Sequence, residues 1–89
     1  MTLVGVAPAQ LADYREEVLH PQSALEIRVV RRLGQRLRAC LRAAGLSRQQ
    51  FAEQTGLAVE LIVAVENGYG QVATARRLLR LARIALTRP

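Results

Sequence analysis

Eighty-nine residues, 51% of them apolar, are enough for one small domain with a modest core. The formal net charge is +6, every one of the thirteen basic residues is arginine, and the lone cysteine, Cys40, excludes an intrachain disulfide and fits a reducing compartment. No run of about 18 apolar residues suggests a membrane span, and the short apolar piece at 3–9 has no basic residues ahead of it, so no signal peptide is expected and the cytoplasm is.

In chain order, residues 1–7 read as either a short strand or a disordered tail. From Pro8 to His20, Leu11, Tyr14 and Val18 recur at helical spacing and predict a short amphipathic helix, which Pro21 interrupts. Ser23 is placed to cap a long helix reaching about Ala44, with Gly45 as its stop. Ile27, Val30, Leu33, Leu37, Cys40, Leu41 and Ala44 form its apolar face, on which Cys40 reads as a small buried hydrophobe, and arginines occupy most of the rest. Ser47 followed by Gln50 predicts a capping box on a third helix, which Gly56 ends. A fourth helix runs to Glu66 and stops at Asn67-Gly68. Tyr69–Val72 reads as a loop, after which Thr74 caps a last helix to about Thr87, with Leu78, Leu79, Leu81, Ala82, Ala85 and Leu86 mostly inward.

Two short helices joined by a three- to four-residue turn containing glycine are a helix-turn-helix, whose second helix can lie in a DNA major groove. From Leu33 to about Leu86 the chain resembles the lambda-repressor/Cro-like (XRE-type) helix-turn-helix family. The resemblance is carried by Leu33-Gly34, Leu37-Arg38, Gly45-Leu46-Ser47, Phe51-Ala52, Gly56-Leu57, Ile62, Val65, Glu66-Asn67-Gly68 and Leu78 to Ala82. It implies an all-α, lambda-repressor-like bundle, here over 23–89; residues 1–22, ahead of it, read as a helical extension that offers a surface for dimerisation.

The resemblance also implies a site. Arg48, just after the cap, would meet a DNA phosphate together with backbone N–H groups, and Asn67 would touch the backbone too. Arg38 and Arg42 lie near enough in sequence register to join them. Val59, Glu60, Val63 and Ala64 would face the bases. Here the chain departs from its relatives: Val59 and Ala64 offer only apolar contact, such as to thymine methyls, and Glu60 can accept from cytosine N4 but repels phosphate. Ala58 stands where relatives often carry a capping Ser or Thr. Leu41 stands where many relatives hold an arginine paired with the glutamate matching Glu66, which must then find another partner, such as Arg38 or Arg42, or remain partly exposed.

The charge is divided along the chain. Residues 1–27 hold one arginine against four carboxylates, a net of −3, and residues 28–89 hold twelve against three, a net of +9. A basic domain points to a polyanion, since neutralised phosphates release counterions. The expectation is therefore a regulator binding double-stranded DNA as a homodimer. Its rival is a protein-interaction or adaptor module, antitoxin-like or an assembly partner, docking a second protein on an apolar patch of Val59, Leu61, Val63 and Ala64. The apolar side chains at the start of the long helix (Ile27, Val29, Val30) need a cover, from the Pro8–His20 helix or a second subunit. No cofactor, metal or enzyme is expected: His20 is the single histidine, Ser23 and Ser47 stand at caps, and the glycines lack phosphate-cradling spacing.

Overall fold

The computed structural model describes residues 22–87, and these form four helices: α1 (Ala24–Ala44), α2 (Arg48–Thr55), α3 (Val59–Glu66) and α4 (Val72–Thr87). No strand occurs among the described residues, and none of their helices is long and apolar enough to cross a membrane. The helix expected over Pro8–His20 and the alternatives for residues 1–7 lie outside the described residues.

Helix starts follow local chemistry. Ser23 accepts from the Glu26 backbone N–H while the Glu26 carboxylate reaches back to the Ser23 N–H, a capping box. Ser47 and Gln50 repeat the device on α2, as the sequence predicts, with the Ser47 N–H donating to Gln50 Oε1 at 2.8 Å. At Ala58 the α3 terminus has no side-chain cap, also as expected. Ala58 is itself buried, so this position serves the core.

The core joins all four helices. Val30, Leu37 and Leu41 of α1 meet Phe51 and Ala52 of α2, Leu61, Ile62 and Val65 of α3, and Ala75, Leu78, Leu79 and Ala82 of α4. Cys40 is half-buried at the margin of this cluster. Gly34 explains one residue of the family pattern. A Cβ there would collide with the Val65 carbonyl oxygen and lie 2.6 Å from the Glu66 Cα, so α1 crosses the end of α3 only because that position has no side chain.

Three expectations are corrected. The last helix begins at Val72, with Thr74 inside it. Gly70 at φ 120° completes the turn early, and the Gln71 carbonyl already accepts from Ala75 at 3.0 Å. Leu86 is 41% exposed, because the inward stripe of α4 ends at Ala82 and its last turn runs past the core. Val30, expected to need a separate cover, is fully buried in the bundle's own core, and Ile27 lies against Gly68.

Gln22 adds a tie with no warning in the sequence. Its side-chain amide donates to the Gly70 carbonyl at 2.6 Å and accepts from the Gly70 N–H at 3.1 Å, pinning the chain ahead of α1 to the loop between α3 and α4.

Candidate nucleic-acid interface

The turn between α2 and α3 is Gly56-Leu57-Ala58. Gly56 adopts φ 73°, a left-handed conformation that a side chain disfavours, and its N–H closes α2 on the Ala52 carbonyl at 2.9 Å. The turn fixes the phase of α3. Leu61, Ile62 and Val65 point inward, and Glu60, Val63, Ala64 and Asn67 fall on the outward side at helical spacing.

This phase corrects the apolar patch drawn from the sequence. Leu61 is buried in the core, and Val59 is half-buried against it. Of the four residues expected to form that patch, Val63 is exposed (41%) and Ala64 half-exposed. Glu60 is half-buried, and its Oε2 is shielded from solvent with no hydrogen-bond partner. An acceptor left this way is costly and favours any donor that can reach it. Asn67 is exposed. Its amide donates to the Val63 carbonyl at 2.9 Å, so the side chain extends the end of α3 while its oxygen and second N–H remain for other partners.

Beside this helix lies an open hollow lined by Arg38, Leu41, Arg42, Leu46, Ser47, Arg48 and Glu66. The three arginines nominated from the sequence thus come together at the N-terminus of α2, where helix-dipole and arginine charge have the same sign. Glu66 lies at the centre of the hollow, its side chain only 8% exposed. Arg48 grips it through Nε at 2.5 Å and Nη2 at 2.9 Å, and Arg38 stands 4.0 Å away. The expected partner Arg38 is therefore secondary, and Arg48 has taken the chief role. Leu41 vacates the usual arginine position, and α2 brings Arg48 within reach from a different element. The hydrogen bond to Glu66, and then its charge, raises the Arg48 pKa above the ordinary arginine value. The fork uses two of the five guanidinium N–H donors and holds the remaining three in place.

The described residues hold no group of three or more His, Cys, Asp or Glu side chains able to bind a metal ion. A family model described as helix-turn-helix matches residues 37–84, more than half of the chain, and the match spans the end of α1 through most of α4. No curated protein and no solved structure gives a match. The chain belongs to the XRE-type helix-turn-helix family of DNA-binding regulators.

Proposed function

We propose that the chain regulates transcription by binding double-stranded DNA as a homodimer, with α3 laid in the major groove. One observation carries this reading: the C-terminal end of α3, at Glu66, borders a hollow in which Arg38, Arg42 and Arg48 come together at the N-terminus of α2. Phosphates on the groove wall would take the arginine N–H donors and the α2 backbone, and Asn67 would hold the backbone at the far end of α3. Base contact falls to Glu60, Val63 and Ala64, with Val59 at the edge. Glu60 suits a cytosine N4 amine, and the two apolar side chains suit thymine methyls. Two copies joined through their first 32 residues would place two such helices on successive half-sites.

The apolar character of the same face favours a second reading, in which Val63 and Ala64 dock another protein. A titration with duplex DNA at two salt concentrations separates the two. Affinity that falls linearly with log salt, by about 0.9 per phosphate contacted, and survives competitor DNA supports the regulator. Loss of binding under competitor supports the adaptor. Sedimentation checks the dimer; a monomer at micromolar concentration contradicts it.

A further inference from the structure

α1 carries a second apolar stripe that the core meets only at one end, where half-buried Leu33 packs against it. Leu25 (68% exposed), Val29 and Leu33 succeed one another at four-residue spacing, and Arg28, Arg32 and Arg36 border them in one shallow groove. The stripe lies round the helix from Arg38 and Arg42, so whatever covers it leaves the candidate interface open.

We propose that residues 11–18 of the same chain cover this stripe, forming an antiparallel helical hairpin with α1. The sequence places a break at Pro21, and α1 starts three residues later at Ala24, a link short enough for two adjacent antiparallel helices. Folding back about that break sets Val18 opposite Leu25, Tyr14 opposite Val29 and Leu11 opposite Leu33, each pair nearly equidistant from the turn. Three apolar residues thus meet three with no slip in register.

Charge selects the same arrangement. On a helix bearing Leu11, Tyr14 and Val18 on one face, Asp13 and Glu17 share one flank and Arg15 takes the other. In α1 the arginines nearest the turn, Arg28 and Arg32, also share one flank of the stripe. Two right-handed helices packed antiparallel bring those flanks to the same side, so Glu17 approaches Arg28 and Asp13 approaches Arg32. The acidic arm would therefore neutralise arginines remote from α3 and leave those in the hollow free.

Hydrogen–deuterium exchange on the full chain tests this without DNA. Amides of residues 11–18 are expected to exchange at least about tenfold more slowly than in an unstructured peptide, and to do so across a roughly hundredfold range of protein concentration. Val29→Asp is expected to return them to peptide rates while the α3 amides stay protected. Peptide rates in the native chain overturn the proposal. Protection that fades on dilution gives the stripe to a second copy and overturns it too. Should Val29→Asp unfold the bundle, a charge swap decides: Glu17→Arg is expected to cost about threefold in protection and Glu17→Arg with Arg28→Glu to regain it. A swap that fails to restore protection overturns the pairing. The DNA titration reads α3 and the arginine hollow, whereas protection of residues 11–18 reads the α1 stripe, so the two readings fail separately.

Discussion

Replacing Arg48 with alanine removes both hydrogen bonds that hold the Glu66 carboxylate and leaves only Arg38, at 4.0 Å, beside it. Hydrogen bonds to a charged group are worth about 1.5–3 kcal/mol, whereas exposed ion pairs give about 0–1 kcal/mol. Here Glu66 is nearly buried and Arg48 is 42% exposed, which places the loss between those limits, at about 1.5 kcal/mol. In a domain of this size that corresponds to a fall in Tm of roughly 6–12 °C. A double-mutant cycle with Glu66→Gln should return a coupling of about 1 kcal/mol. The same substitution should lower the salt slope of DNA binding by about 0.9 and weaken all sequences alike. Thermal melts followed by circular dichroism and a salt-titrated binding curve measure both effects. An unchanged Tm with zero coupling would show that the Arg48–Glu66 pair does not hold α2 to α3. A loss confined to one operator position would show that Arg48 reads bases and not phosphate.

Three further outcomes are expected. Gly34→Ala drives a methyl into the backbone of Val65 and Glu66 and should cost about 3 kcal/mol in urea unfolding; a loss under about 1 kcal/mol would mean that α1 and α3 separate easily. Gln22→Ala should remove about 1 kcal/mol and speed exchange at the Gly70 amide, with α2 unaffected. Glu60→Ala should relieve an orphaned acceptor and tighten non-specific DNA binding, yet reduce discrimination at one cytosine by about 1–3 kcal/mol; retained discrimination in a base-substitution series would remove Glu60 from base contact.

Where local chemistry dictates structure, the sequence was readable. Ser47 with Gln50, Gly45 and Gly56 mark helix ends through contacts of a few residues, and each stands where expected. The phase of α3 was harder, because VELIVAVE is apolar on nearly every side and its periodicity is weak. The turn at Gly56 and the close crossing of α1 at Gly34 together hold Leu61 inward while Val63 stays out. The partner of Glu66 was also hidden, since Arg48 reaches it across an 18-residue separation that the turn geometry creates. Gln22 gave no sign at all: a glutamine after a proline has no signature until a loop 48 residues away bends to meet it.

The central claim, that α3 is the surface a duplex meets, is tested most directly by amide chemical-shift mapping of the labelled protein with duplex DNA. The largest shifts are expected at Glu60, Val63, Ala64 and Asn67 and at the first turn of α2, diminishing as salt is raised. Shifts absent from α3, or gathered on α4 and the far side of α1, would contradict it.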